Sequence, residues 1–144
     1  MASVNTYLNF PGTCEQAFEF YKTVFGTEYS HPISRFSDGP KNPDHPLSPS
    51  LQQMIIHVTL PILGGYELMG SDAPKEFGFT IIEGNNNYIN LNTDTRAETD
   101  RLFSALSVNG KIEQALQEMF WGAYYGLLTD QFGIHWMFNC ISKD

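Results

Sequence analysis

The sequence predicts one α+β domain made of two copies of a strand–helix–strands unit. A segment of alternating polar and apolar residues precedes a helical apolar stripe twice, starting near residue 4 and again near residue 88. Shifting the first half of the chain by 82 residues also places Tyr21 on Phe103 and Val24 on Leu106. Self-similarity of this kind indicates structural repeats, and 144 residues suit a single domain.

The first copy opens with a strand and a helix. Residues 4–10 alternate as a half-buried strand does, and Pro11-Gly12 ends the strand. Thr13 followed by Gln16 resembles a capping box, in which the two side chains bond backbone N–H groups at the start of a helix. The apolar stripe of this helix ends before Gly26. One face of the strand carries Asn5, Tyr7 and Asn9.

The rest of the first copy is a loop and a hairpin. Residues 27–50 contain five of the eight prolines, so we expect one short strand and then an exposed loop that includes residues 37–50. Residues 54–60 are β-branched and apolar around His57, and Gly64-Gly65 separates them from residues 66–69, which predicts a hairpin.

The second copy repeats this plan. Residues 88–93 predict a strand, Thr95 with Glu98 resembles a second capping box, and residues 123–129 and 134–141 predict the two last strands. One face of the opening strand carries Tyr88, Asn90 and Asn92. A polar face opposite an aliphatic face suits a sheet that has a helix on one side and a partly polar concavity on the other. The alternative is an open sheet whose polar face only meets solvent.

Charge and cysteine content narrow the function classes. The chain has 16 acidic and 8 basic residues and a net charge of −8, so its average surface potential repels nucleic acid and anionic lipid headgroups. No segment approaches the roughly 18 apolar residues of a membrane span, and the N-terminus does not resemble a signal peptide. Cys14 and Cys140 form no C-x-x-C pair, which favours two buried free thiols. We expect a cytoplasmic protein that binds neither nucleic acid nor membrane.

Three motifs resemble those of a known superfamily. They are Glu15-x-Ala17-x-x-Phe20-Tyr21-x-x-Val24-Phe25-Gly26, Leu68-Met69-Gly70-Ser71-Asp72, and Trp121-Gly122-x-x-Tyr125-Gly126-x-x-x-Asp130-x-Phe132-Gly133-x-x-Trp136. Together they are similar to the PhnB-like branch of the glyoxalase/bleomycin-resistance/dioxygenase superfamily, also called the vicinal oxygen chelate superfamily. The resemblance spans nearly the whole chain, and the third motif is the most specific to this branch.

The resemblance implies two βαβββ modules, about residues 1–75 and 76–144, within one domain. It implies a curved, mostly antiparallel open-barrel sheet around a cleft, with helices on the convex side, often in a homodimer. Proteins of this branch are often described as demethylubiquinone methyltransferases. The sequence, however, contains nothing that resembles a glycine-rich cofactor loop after a strand.

In metal-dependent members of the superfamily, four His, Gln or Glu side chains hold one divalent ion. The matching positions here are Asn5, Met69 or Glu67, Tyr88 and Met137. Hard divalent cations require oxygen or imidazole ligands, and a thioether is a soft, weak one, so this set does not make a credible metal site. We therefore expect no metal and no other cofactor. A relocated divalent-metal site that uses Glu67, His57 and His135 stays open as an alternative.

The same three residues are the candidates for catalysis. Glu67 lies on a strand that is expected to face the cleft, where a carboxylate could act as an acid or base. His57 has no carboxylate near it in sequence, which favours a structural histidine over a general base. Cys140 lacks a histidine partner and no Gly-x-Ser-x-Gly elbow is present, so hydrolase chemistry has no support.

The function favoured by the sequence is metal-independent binding of a small organic molecule in the cleft. An aromatic-walled acidic cleft suits a flat or cationic ligand. The expected ligand-binding residues are Asn5, Tyr7, Glu67, Met69, Tyr88, Asn90, Trp121, Tyr125 and Met137. One alternative is a glyoxalase-like lyase, isomerase or dioxygenase with a relocated metal. Another is a non-catalytic protein that associates with copies of itself.

Overall fold

The structure, a computed structural model, describes residues 1–144 and divides into two compact units, Met1–Ile82 and Glu83–Asp144. Each unit contains one four-stranded sheet and one long helix that packs on a face of that sheet. Each sheet is mixed, with one parallel and two antiparallel strand pairs. The α+β class and the two βαβββ modules are therefore confirmed.

The first unit has the strand order β1-β4-β3-β2. Its elements are β1 (Tyr7–Phe10), α1 (Cys14–Phe25), β2 (Ser34–Arg35), α2 (Pro49–Gln53), β3 (Ile55–Pro61) and β4 (Glu67–Asp72). The hairpin of β3 and β4 and the short strand in the proline-rich segment agree with the sequence analysis. The short helix α2 was not predicted, and β1 begins later than residue 4 because its ladder with β4 starts at Tyr7.

The predicted capping box at Thr13 is wrong. The Thr13 side chain makes no capping hydrogen bond. The first helical N–H, that of Cys14, instead donates to Oδ1 of Asp72 at 2.9 Å, and the N–H of Ile55 donates to Oδ2 at 2.9 Å. Asp72 is buried, and a buried carboxylate needs such donors to offset the loss of hydration. The helix start therefore depends on a residue 58 positions away, which a local sequence pattern does not reveal.

The second unit has the equivalent strand order β5-β8-β7-β6. Its elements are β5 (Ile89–Asn92), α3 (Arg96–Leu106), β6 (Lys111–Glu118), β7 (Tyr124–Thr129) and β8 (His135–Cys140). Four of these five agree with the sequence analysis, and β6 was not predicted. At the start of α3, Thr95 accepts the Glu98 N–H at 3.1 Å as predicted, but the Glu98 carboxylate bonds the N–H of Asp94.

The third sequence motif is explained by the turn that joins β7 to β8. The carboxylate of buried Asp130 accepts the backbone N–H groups of Phe132 and Ile134 through Oδ1, at 2.8 and 3.1 Å. Its Oδ2 accepts the indole N–H of Trp136 at 2.9 Å, and the Trp136 side chain is fully buried. This part of the motif therefore fixes a turn and a core tryptophan.

Each sheet has one face covered by its helix and one face that the helix does not cover, which we call the helix-free face. Along β4, Leu68, Gly70 and Asp72 are buried toward α1, and the residues between them are half-buried on the helix-free face. The strand β8 alternates in the same way. This alternation places the polar positions of the first and last strands of each unit side by side. None of the three α-helices combines the length and the hydropathy that a membrane-spanning helix needs.

Close packing of α1 on its sheet depends on Gly70 in β4. A Cβ atom at Gly70 would lie 2.6 Å from Cε2 of Phe18, a distance far below van der Waals contact. Phe18 is fully buried against this position. A side chain at residue 70 would therefore push the helix away from the sheet.

Replacing Gly70 by alanine is expected to destabilise the protein by about 1–3 kcal/mol, because the added methyl group overlaps the Phe18 ring. Urea unfolding followed by circular dichroism measures this change. Gly84→Ala is the matched control, since a Cβ atom there would meet only Oδ1 of Asn86 at 3.8 Å. Equal unfolding midpoints for the Gly70→Ala variant and the unaltered protein would contradict the packing argument.

Candidate functional site

The helix-free face of the first sheet carries a hydrogen-bonded histidine. His57 stacks on Tyr7, with ring centroids 5.7 Å apart, and its Nδ1 lies 3.2 Å from the Tyr7 hydroxyl. Its Nε2 lies 2.9 Å from Oγ1 of buried Thr59. Both ring nitrogens thus have a hydroxyl partner that can donate or accept, so the ring is held in a defined orientation on this face.

Other predicted residues of the first unit lie on the same face. Met69 is directly opposite Tyr7 in the parallel ladder of β1 and β4. Asn5 precedes β1 and donates from Nδ2 to the backbone carbonyl oxygen of Glu67 at 3.0 Å. The structure therefore places Asn5 beside Glu67, and Tyr7 beside Met69.

The structure separates His57 from Glu67 within this face. In the antiparallel ladder of β3 and β4, Pro61 is opposite Glu67, four residues after His57. Four residues along a strand correspond to about 13 Å. The two candidates for acid–base catalysis in the first unit therefore do not form a side-chain pair.

The helix-free face of the second sheet carries a denser set, the Glu113 cluster, formed by Tyr88, Glu113, Thr129 and His135. The Tyr88 hydroxyl donates to Oε2 of Glu113 at 2.6 Å, and the Thr129 hydroxyl donates to Oε1. Nδ1 of His135 lies 2.8 Å from Oγ1 of Thr129 and 3.4 Å from Oε1 of Glu113. The rings of Tyr88 and His135 are 5.3 Å apart. Three side chains from separate segments thus surround the Glu113 carboxylate.

Hydrogen bonds keep this carboxylate ionised. The Thr129 and Tyr88 hydroxyl groups, with a smaller contribution from His135, lower the pKa of Glu113 below its ordinary value. The bond to Glu113 in turn raises the pKa of the Tyr88 phenol, because a nearby negative charge disfavours phenolate. Nε2 of His135 lies within hydrogen-bond distance of the carbonyl oxygen of Gly84.

The remaining predicted residues of the second unit lie elsewhere on the same face. Asn90 is opposite Met137 in the ladder of β5 and β8. Tyr125 is opposite Asn139 in the ladder of β7 and β8, four residues or about 13 Å along the strand from Thr129. Trp121 packs edge-on against Tyr125, with ring centroids 5.5 Å apart, and is half exposed.

The donor set does not fit the divalent ion of metal-dependent superfamily members. No group of three or more His, Cys, Asp or Glu side chains is arranged to hold a metal ion. The strand register also separates the matched positions, because Tyr88 lies beside His135, whereas Met137 lies beside Asn90. The His135 and Glu113 pair supplies only two ligands, and both are engaged by Thr129. No reaction step through a metal follows from these residues.

Glu113 and Thr129 were missed by the sequence analysis. Glu113 belongs to β6, whose residues show no clear alternation of polar and apolar side chains. The repeat was the available signal, because the strand that follows α1 in the first unit requires an equivalent strand after α3. Sequence reasoning alone would still not have selected Glu113 from the two glutamates of that strand.

Comparisons with known proteins place the chain in a family. A family model described as 3-demethylubiquinone-9 3-methyltransferase matches residues 2–138. The protein YjdN of Escherichia coli strain K12 is 34% identical, over 97% of this chain and 96% of its own length. The chain belongs to this family, and the PhnB-like resemblance seen in the sequence is confirmed.

Solved structures agree with this assignment. Protein PA1353 from Pseudomonas aeruginosa is 33% identical with a TM-score of 0.81, over 97% of this chain and 98% of its own. A putative 3-demethylubiquinone-9 3-methyltransferase, PhnB protein, from Bacillus cereus is 27% identical with a TM-score of 0.73, over 96% and 99%. A glyoxalase/bleomycin resistance protein/dioxygenase family enzyme from Burkholderia phytofirmans, 18% identical with a TM-score of 0.59 over 96% and 100%, shares the fold.

Replacing Thr129 by valine is expected to raise the pKa of Glu113 toward its ordinary value of 4.5, because the main hydrogen bond that lowers it is lost. The folded pKa lies below the unfolded one. The stability that the Glu113 cluster contributes is therefore present above the unfolded pKa and is lost as the pH falls through the folded pKa. A carbon-13 NMR titration of the Glu113 side-chain carboxyl measures its pKa in the variant and in the unaltered protein.

Glu15 is the internal control for this titration. Its pKa is also lowered, but by Arg35 in the first unit, so Thr129→Val should leave it unchanged. A Glu113 titration that is the same in the variant and in the unaltered protein would contradict the role assigned to Thr129.

Proposed function

We propose that the protein binds a small organic molecule on the helix-free faces of its sheets without a metal ion. The observation that carries this proposal is the Glu113 cluster with its aromatic neighbours, a concentration of polar and ring groups on a sheet face that no helix covers. Small-molecule sites combine apolar and aromatic walls with a few placed polar groups, and this face supplies both.

The first unit supports the same proposal. Tyr7 is about half exposed although it lies on a strand, and its ring stacks on His57. The thioether of Met69 lies beside it on the face, as a polarisable and adaptable apolar contact. A flat ring with hydrogen-bonding groups would find both a stacking surface and polar partners here. The residues proposed to contact ligand are Asn5, Tyr7, Glu67, Met69, Tyr88, Asn90, Trp121, Tyr125 and Met137.

The methyl transfer named in the family description is not part of this proposal. The loops that lead from the first strand into the helix of each unit are short, residues 11–13 and 93–95. Neither contains the repeated glycines with which nucleotide-type cofactors are held at a helix start. A homodimer and a cytoplasmic location remain predictions.

Methionine methyl groups give a direct test of this proposal. The chain has five methionines, and Met69 and Met137 lie on the two helix-free faces. In protein labelled with carbon-13 at these methyl groups, a bound compound is expected to shift the Met69 or Met137 signal and to leave Met1 unshifted. The shifts should persist with a chelator present, because no metal is required. Met69→Leu and Met137→Leu variants assign the signals.

The screen uses neutral, anionic and cationic organic compounds of drug-like size. The proposal is wrong if no compound shifts either face signal, or if binding compounds shift only methionines away from both faces. A response that vanishes with the chelator and returns with a divalent ion would favour the relocated-metal enzyme instead.

A further inference from the structure

The Glu113 carboxylate has hydrogen-bonding capacity that the protein does not use. An ionised carboxylate offers about four acceptor positions. Tyr88 and Thr129 each occupy one, on different oxygens. The Glu113 side chain remains 27% exposed, so the free positions can be reached. A ligand that donates a hydrogen bond or carries positive charge can therefore approach this carboxylate.

Glu113 is also not neutralised by a lysine or an arginine. The ion pairs of Lys22, Arg35, Arg96 and Lys143 go to other glutamates. Lys111 is opposite Thr129 in the ladder of β6 and β7 but forms no ion pair with Glu113. A charged partner that does bear on Glu113 is the imidazole of His135. When that imidazole is neutral, the cluster carries a full negative charge. The net charge of −8 adds a long-range attraction for cations.

Aromatic rings stand beside this charge. The Tyr88 hydroxyl contacts the carboxylate directly, and the Tyr88 ring lies 5.3 Å from the imidazole ring of His135. The faces of such rings are negative and attract organic cations, especially ammonium groups whose hydration is weak. Carboxylate and rings together match one class of ligand group.

We propose that Glu113, with the ring of Tyr88, binds the positively charged nitrogen of an organic cation such as an alkylammonium. This inference rests on the proposed function and assigns the chemical class of its ligand. Glu113 supplies the counter-charge and the Tyr88 ring supplies cation–π contact. The charged residue of the site is then Glu113, in place of the Glu67 expected from the sequence.

Choline and its neutral isostere 3,3-dimethylbutan-1-ol test this proposal, because they differ in charge and hardly in shape. Each compound is titrated into the methyl-labelled protein, and the Met137 methyl and Tyr88 ring signals are followed. Choline is expected to shift these signals and to bind at least about tenfold more tightly than the isostere, from charge and cation–π contact together. Glu113→Gln is expected to remove most of that difference.

Two further variants serve as controls. Glu76→Gln makes the same change of charge at an exposed residue of the first unit and should leave choline binding unchanged. Tyr88→Leu removes the ring, together with its hydrogen bond to Glu113, and should weaken choline by several-fold. If Glu113→Gln does not give a folded methyl spectrum, the Tyr88→Leu result, read at the Met137 methyl signal, decides the test.

The outcomes separate this inference from the proposed function. Equal binding of choline and the isostere, unaffected by Glu113→Gln, would overturn the cation assignment and leave small-molecule binding intact. If choline causes no shift at tens of millimolar while neutral compounds do bind, the cation assignment is again overturned and small-molecule binding stays intact. Absence of choline binding together with an empty screen would overturn both.

Discussion

The parallel pairing of the first and last strand in each unit is the constraint on which the rest of this structure depends. Parallel neighbours cannot be joined by a tight turn, so the chain must cross over, and here it does so through a helix and two further strands. The helix then covers one face of the sheet. The other face is left to the alternate residues of the two paired strands, which include Tyr7 beside Met69 and Asn90 beside Met137.

This arrangement leaves polar backbone groups near the core, and each unit uses a buried aspartate to satisfy them. Asp72 receives N–H groups from the start of α1 and from β3, so it ties three segments together. Asp130 closes the turn before β8 and holds the indole of Trp136. Removal of either carboxylate would leave buried donors unpaired, at a cost of about 1–3 kcal/mol for each donor. The specific sequence motif that contains Asp130 and Trp136 thus supports the scaffold of the face.

The sequence predicted the elements whose signals are local and missed those set by tertiary contacts. The helices α1 and α3 follow from apolar spacing, and the repeat related them correctly because Tyr21 and Phe103 are both buried at equivalent places. The prediction of a cap at Thr13 failed because the helix start is held by a distant carboxylate, that of Asp72, which accepts the first helical N–H. The strand β6 failed because both of its faces are largely exposed, so no alternation of polar and apolar residues was required. Because β6 was not predicted, Glu113 was not identified as a candidate site residue.

The same register explains why the matched positions on the helix-free faces do not suit chelation of a divalent ion. In each parallel ladder, a phenol or an amide is directly opposite a thioether on this face. Neither thioether is a ligand for a hard cation. An imidazole and a carboxylate do occur on these faces. They lie one residue pair further along the ladder than the thioether, where the ring of His135 contacts that of Tyr88. There, Thr129 bonds both His135 and Glu113 and so engages the imidazole and the carboxylate at once. On the proposal made above, the Glu113 cluster offers negative charge beside the ring of Tyr88, which would attract an organic cation without replacing its full coordination shell.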